Sequence, residues 1–299
     1  MSWRSLCIAN PACLSIKNSQ LVIKQEQETT LPLEDIGAIM IESNQVSITS
    51  AALSAMSANG IAAFVCDNKH LPCGVLLPFH LHSRQWRVLK AQLTMTKPLA
   101  KQCWKRIVEQ KIVNQSYCLD FLGKPGGEAL RDIGKSVKSG DADNREAYAS
   151  RIYFQHLFDN FTRKDDTIIN SALNYGYAVI RGYVARTLAI FGFNPAMGIH
   201  HTNELNAFNL ADDFMEVFRP VVDLFVITHI SAEKTELTTQ DKAKLLGMLH
   251  LDMRMGINHK AVTNCIEEMI AGFSSICHKK DLNFIKLPHL LPLESHEYE

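Results

Sequence analysis

The chain of 299 residues has no excess charge of either sign, since 31 Lys and Arg stand against 31 Asp and Glu. A neutral chain is not built to coat nucleic acid indiscriminately, so any such contact must come from local charge. Long apolar runs are missing too. Ile36 to Ile41 and Gly74 to Phe79 are far too short to cross a bilayer, and MSWRSLCIAN at the start has no charged stretch ahead of a long apolar one. The expectation is a cytoplasmic protein that does not engage a membrane. The eight cysteines (Cys7, Cys13, Cys66, Cys73, Cys103, Cys118, Cys265, Cys277) include no CxxC pair and no tight grouping with histidine. That spacing argues against a zinc knuckle or a disulfide framework and leaves reduced, idle thiols. There is no GxSxG elbow, no GxxxxGK(S/T) loop and no GxGxxG after a strand, so the standard signals of serine hydrolases, P-loop NTPases and dinucleotide enzymes are absent.

What is present is an ordinary globular composition, 46% hydrophobic, in a chain long enough for two cores. The first eighty or so residues alternate and are rich in β-branched side chains, as in ACLSIKNSQLVIKQ and TTLPLEDIGAIMIES. Lys17-Asn18-Ser19-Gln20 reads as a hairpin turn, and residues 50–57 as a short helix. From Ser83 the period becomes that of amphipathic helices, with Pro98 behind Thr96 opening a long one. Further helices are expected at 128–138, 145–158, 168–191, 205–228, 239–253 and 259–279, and the tail KLPHLLPLESHEYE reads as irregular. The fold class is therefore α+β: a small β-rich N-terminal domain over residues 1–82 and a larger all-α domain over 83–299, with the boundary near 80–86.

Charge is uneven along the helices. Between Arg84 and Lys138 twelve Lys or Arg face four acids, with Trp86, Trp104 and Tyr117 interleaved. Arg84, Arg87 and Lys105 are candidates for a phosphate backbone, the alternative being a solvated helix face. Arg181 and Arg186 in NSALNYGYAVIRGYVARTLAIFG either snorkel from a buried helix or reach phosphates.

The densest chemistry lies in GIHHTNELNAFNLADDFMEVFRP. Leu210, Phe214, Val217, Phe218, Val221 and Phe225 form one helical stripe, which puts Asp213 and Glu216 side by side on its flank. Two such carboxylates repel unless a cation lies between them, or unless Glu216 pairs with Arg219 and both acids face water. His200 and His201 follow a turn-like FGFNPAMGI, so a loop delivers imidazole to the start of that helix. Imidazole with carboxylates suits Mn²⁺ or Mg²⁺. A third ligand from another helix is offered by Glu146 in GDADNREAYASRIYFQHLF, although Asp143 and Glu146 also fit a capping box.

In these three segments, NREAYASRIYF, LNYGYAVIRGYVAR and GIHHTNELNAFNLADDFMEVFRP, the chain resembles the CRISPR-associated endonuclease one family, the integrase of spacer acquisition, and in particular its type II members. The resemblance implies that Glu146, His201 and Glu216 are the catalytic, metal-holding residues, that Asp213 is a neighbouring ligand or support, and that Mg²⁺ or Mn²⁺ is the cofactor. It favours His201 over His200. Val217 stands where the family commonly has proline. The implied reaction is metal-dependent transesterification, in which the 3′-hydroxyl of short duplex DNA (a prespacer) attacks a phosphodiester of the repeat array. The implied partners are a second copy of the chain, docked through the β-rich domain, and the small second CRISPR adaptation protein in a heterohexamer with two such dimers. Double-stranded DNA, the type II effector nuclease and an accessory ring protein complete the set. The competing readings are a noncatalytic helical DNA-binding scaffold and a metal-dependent phosphohydrolase of small nucleotides.

Overall fold

The computed structural model describes residues 4–68, 71–78, 84–158 and 161–297. The alternating N-terminal runs become β1 (Arg4–Ile8), β2 (Ala12–Lys17), β3 (Gln20–Lys24), β4 (Glu28–Pro32), β5 (Ile36–Ile41), β6 (Val46–Ile48), β7 (Ala62–Cys66) and β8 (Pro72–Leu76), with helix α1 (Ser50–Ala58) before β7. The expected hairpin joins β2 to β3. Asn18 and Ser19 have φ of 50° and 58°, the positive pair that a two-residue loop needs to match strand twist. The strands form two sheets, ordered β1-β5-β7-β8 and β4-β3-β2-β6. Leu14, Leu21, Ile23, Ile39 and Ile41 share one core with Ala52 and Met56 of α1.

All six positions of β5 are buried, which explains its unbroken apolar run. Ile39 and Ile41 enter the N-terminal core, whereas Ala38 and Met40 join the larger helical core on the other face, with Phe64 of β7. The first sheet is thus a shared wall between the two halves. The expected boundary near 80–86 falls in part on residues 79–83, outside the described residues.

The second half runs through α2 (Gln85–Leu93), α3 (Lys97–Phe121), α4 (Gly127–Lys135), α5 (Arg145–Leu157), α6 (Ile168–Ile190), α7 (Asn209–Met215), α8 (Arg219–His229), α9 (Thr239–Gly247) and α10 (Val262–Lys279). It is not all-α. Leu251–Met255 (β9), Asn258–Ala261 (β10) and His289–Ser295 (β11) form a three-stranded antiparallel sheet, ordered β10-β9-β11. The helix expected over 239–253 therefore stops early, and the tail expected to be irregular is paired. Pro292 is tolerated because it lies in the irregular stretch of β11, between the pairs Leu290–Met253 and Ser295–Leu251, on an edge strand.

The helix expected over 205–228 is also interrupted. Pro220 has no N–H to give to the carbonyl of Glu216, and the N–H of Arg219 takes it in a tighter turn. A short 3₁₀ segment, Glu216–Phe218, therefore separates α7 from α8. The apolar stripe still holds: Leu210, Phe214, Val217, Phe218, Val221 and Phe225 are all buried.

A buried ion pair and a buried arginine-to-carbonyl hydrogen bond fasten the halves together. Lys242 Nζ of α9 lies 2.5 Å from Glu42 Oε1, just past β5. Arg186 of α6 donates to the carbonyl of Gly60, pairs with Glu267 at 3.2 Å and packs over the Tyr183 ring. It is buried and committed to the frame, so the expectation that it reaches DNA does not hold.

Candidate active site

Three elements of distant sequence meet beside α3. Glu146 stands in the first turn of α5, Glu216 in the tight turn between α7 and α8, and His201 in the loop that precedes α7. Glu146 is not the reaching arm of a capping box. The carboxylate that accepts the N–H groups of Arg145 and Glu146 is Asp141, at 2.8 and 3.1 Å, while Asp143 pairs with Lys138 at 2.7 Å. Asn144 occupies the cap position with φ of 51°. The Glu146 side chain is thereby released to point at Lys111 and Ser150.

Glu216 faces the interior, only 6% exposed, and not the solvent. Its Oε1 accepts from Arg219 Nε at 2.7 Å, as the i,i+3 spacing allows. Burial alone would raise its pKa, but Arg219 and then Lys111 outweigh that and hold it near 2. Its Oε2 lies 2.5 Å from Lys111 Nζ as an ion pair, yet no aligned hydrogen bond reaches it.

Asp213 and Glu216 do not act as a pair. Asp213 is fully buried and accepts from the backbone N–H of Ile199 (2.6 Å), His200 (3.2 Å) and His201 (3.1 Å), and its Oδ1 lies 2.8 Å from His201 Nδ1. One carboxylate thus folds the GIHH loop and orients the imidazole, leaving Nε2 as the free ring nitrogen. The close approach explains Gly198: any side chain there would strike the carbonyl of His201 and the carboxylate of Asp213. The bond from Asp213 raises the His201 pKa against the pull of burial. His200 differs. It stacks on Trp104 with centroids 4.1 Å apart and planes 5° apart, and burial lowers its pKa.

Sequence reasoning missed Lys111, which it counted among the basic residues of a helix face. It is 5% exposed and forms ion pairs with both Glu146 and Glu216. The signal was available in the spacing, since Ile107, Val108, Ile112, Gln115 and Cys118 place position 111 on the buried side of α3. Burial would lower its pKa, but the two glutamates reverse the sign and raise it. Asp223 was missed as well. It accepts from Tyr153 at 3.0 Å and from Tyr177, and burial lifts its pKa to about 6.

A cavity of about 210 Å³ opens among Lys111, Gln115, Glu146, Ser150, Phe154, Arg163, Tyr177, Glu216, Arg219 and Asp223. It shares Ser150, Phe154 and Arg163 with a larger groove, which adds Arg151, Gln155, Phe158, Phe161 and Thr162. Of the candidate DNA contacts, Arg84 and Arg87 are exposed on or beside α2 next to Trp86, which is 70% exposed. Lys105 is half-buried and sits 3.5 Å from Glu109. Arg181 lies over Phe208, 4.0 Å from Asp212.

The donor set fits a hard divalent ion in part. Carboxylate oxygens and an imidazole suit Mg²⁺ or Mn²⁺, and the unaligned, buried Oε2 of Glu216 is the kind of atom an ion satisfies. Yet no three His, Cys, Asp or Glu side chains stand close enough to hold one ion among the described residues. A lysine ammonium lies between the two glutamates instead.

No helix among the described residues is long and apolar enough to cross a membrane. The family model for CRISPR associated protein Cas1 matches residues 6–255. Over 305 aligned positions the chain is 44% identical to the CRISPR-associated endonuclease Cas1 of Neisseria meningitidis serogroup C, covering 100% of both chains. Its fold is similar to that of a casposase bound to an integration product, with a TM-score of 0.77 at 18% identity over 94% of this chain and 92% of that one. It is also similar to a chain of a Cas6-RT-Cas1–Cas2 complex, with a TM-score of 0.73 at 18% identity, over 97% of this chain and 36% of the other. The family match extends across both the β-rich half and the segments that carry Glu146, His201 and Glu216, and the chain belongs to the CRISPR-associated Cas1 endonuclease family.

Proposed function

We propose that the chain is a metal-dependent DNA endonuclease and integrase of CRISPR adaptation, which joins the 3′-hydroxyl ends of short duplex DNA to the repeat array by transesterification. The observation that carries this reading is the convergence of Glu146 and Glu216, from separate elements, on one buried cation position; His201, oriented by Asp213, is outside the lining of that cavity but within the electrostatic reach of Glu216. Glu146, Glu216 and His201 through Nε2 would hold Mg²⁺ or Mn²⁺, with Asp213 orienting His201 and not itself a ligand, because its oxygens are already taken by three backbone N–H groups and the ring. The bound ion supplies charge neutralisation at the phosphodiester and a lowered pKa at the attacking hydroxyl.

The chain's own residues do the rest. Arg219, anchored on Glu216, keeps a fixed positive charge at the cavity wall. Arg163 lies where the cavity meets the groove, and Phe154, Phe158 and Phe161 line the groove with aromatic faces, a combination suited to an unpaired strand end.

Complexes of relatives with Cas2 and with DNA support the small second adaptation protein and double-stranded DNA as partners. A homodimer through the β-rich half, two of which flank the small partner, belongs to the same reading, as do the effector nuclease and the ring protein. A noncatalytic scaffold is the second reading. One observation favours it, namely that both glutamates are already paired with Lys111 and Arg219.

The test is strand transfer of a short duplex with 3′-hydroxyl ends into a plasmid carrying leader and repeat, with the small partner and Mn²⁺. Loss of joined product in Glu216→Ala and His201→Ala is expected. Transfer by either variant at the parent rate overturns the assignment.

A further inference from the structure

We propose that Lys111 is a resident counter-ion that fills the metal position in the metal-free protein and is displaced when a divalent ion binds. The inference rests on the metal reading above. It starts from a charge count. Glu146 and Glu216 bring two negative charges to the site, and Lys111 and Arg219 already bring two positive ones. A cluster that is neutral as built has no surplus to attract a dication, and an ammonium and a dication cannot share the gap between two carboxylates in a poorly screened interior.

Geometry agrees with the count. The ammonium touches both glutamates at once, from a side chain 5% exposed, whereas no three potential ligands gather around one point among the described residues. The lysine thus sits where a shared ion would have to sit. Without it, two carboxylates brought together by α5 and by the turn before α8 would repel, so it keeps the site assembled.

The structure also provides somewhere for the ammonium to go. Lys111 lines the cavity of about 210 Å³, whose wall includes Gln115, Ser150, Tyr177 and Asp223. Its long, flexible stem can carry the charge from the glutamates to those oxygen-bearing groups, whereas Arg219 is held from its own helix by Glu216 and the Tyr177 ring.

The test compares the full-length parent with Lys111→Met by calorimetric titration with Mn²⁺ and by melting temperature with and without Mn²⁺. The variant is expected to melt lower than the parent without metal, to gain more on addition of Mn²⁺, and to bind Mn²⁺ with a Kd lower by about tenfold. An equal or higher Kd overturns the inference and leaves the metal reading standing. No heat and no melting shift in either protein overturns the metal reading, and this inference with it. Should Lys111→Met fail to fold, the parent alone decides. Reductive methylation followed by mass spectrometry is expected to leave Lys111 unmodified without metal and to modify it at saturating Mn²⁺. Protection at both conditions overturns the proposal.

Discussion

Gly182 of α6 lies directly against Phe64 of β7, so close that a Cβ at position 182 would enter the ring's van der Waals envelope. Phe64 is 1% exposed and has nowhere to move. The N-terminal sheet and the central helix therefore meet on a surface that only glycine permits. Gly182→Ala should lower stability by about 1–3 kcal/mol through overpacking, although the same change in an exposed helix adds about 1 kcal/mol. Chemical denaturation decides the sign, and a gain in midpoint would contradict this packing.

Asp213→Asn keeps the size of the side chain but cannot accept four N–H groups from the GIHH loop as a carboxylate does. Buried and charge-assisted bonds of this kind are worth about 1.5–3 kcal/mol each when broken. We expect a clear fall in melting temperature and a loss of about 10–100-fold in Mn²⁺ affinity, the usual effect of removing a group that orients a ligand. Calorimetric titration measures it. An unchanged affinity would mean that His201 needs no such orientation.

Asp223 gives stability a pH dependence of unusual sign. Its pKa is raised from 3.8 to about 6, so between those values the folded chain binds more protons than the unfolded one. Stability contributed by this group is full below about pH 4 and is lost as pH rises through about 6. Asp223→Asn should therefore flatten the fall in unfolding free energy across that window, a difference on the order of 2–3 kcal/mol. Urea denaturation at a series of pH values reads it, and identical slopes in the two proteins would refute the assignment.

Arg186 and the pair Arg84 and Arg87 should separate frame from interface. Arg186→Met strands the buried carbonyl of Gly60, while half-exposed Glu267 turns to water, and should cost about 1–3 kcal/mol while leaving the salt dependence of DNA binding unchanged. Substituting exposed Arg84 and Arg87 with Ala should do the reverse, reducing the logarithmic salt slope by about 1 for each arginine that had neutralised a phosphate. Binding isotherms at several salt concentrations distinguish the two.

Much of the fold was legible in the chain, where local rules govern. The Asn18-Ser19 turn, the helix over 50–58 and the long helix over 168–190 follow from turn chemistry and hydrophobic period. The sheet of β9, β10 and β11 was not legible, because LDMRM fits a buried strand as well as the end of a helix, and HLLPLES carries a proline that only an irregular edge tolerates. At the site, residue types nominate His200 or His201 with Glu146, Asp213 and Glu216, and it is the family resemblance that singles out His201 and Glu216. The roles of Asp213, Lys111 and Asp223 depend on what they meet across 12 to 105 positions of sequence, and no spacing rule reports that. The cap of α5 shows the same limit: Asp143 was the better local candidate, but the left-handed backbone at Asp141 and Asn144 gives Asp141 the contact.

One buried amide joins the site to the C-terminal strand. Asn114, one turn beyond Lys111 on α3, donates to the carbonyls of Val217 and Pro288 and accepts the N–H of Leu290. The turn that presents Glu216 is therefore stitched to a strand more than seventy residues further along the chain. Contacts of such sequence separation are made late, after the entropy of closing long loops has been met. A nascent chain would expose its β-rich half first and could fasten the turn that carries Glu216 only when residues near 290 have left the ribosome, so the order of synthesis itself makes this turn one of the last parts of the candidate site to be secured.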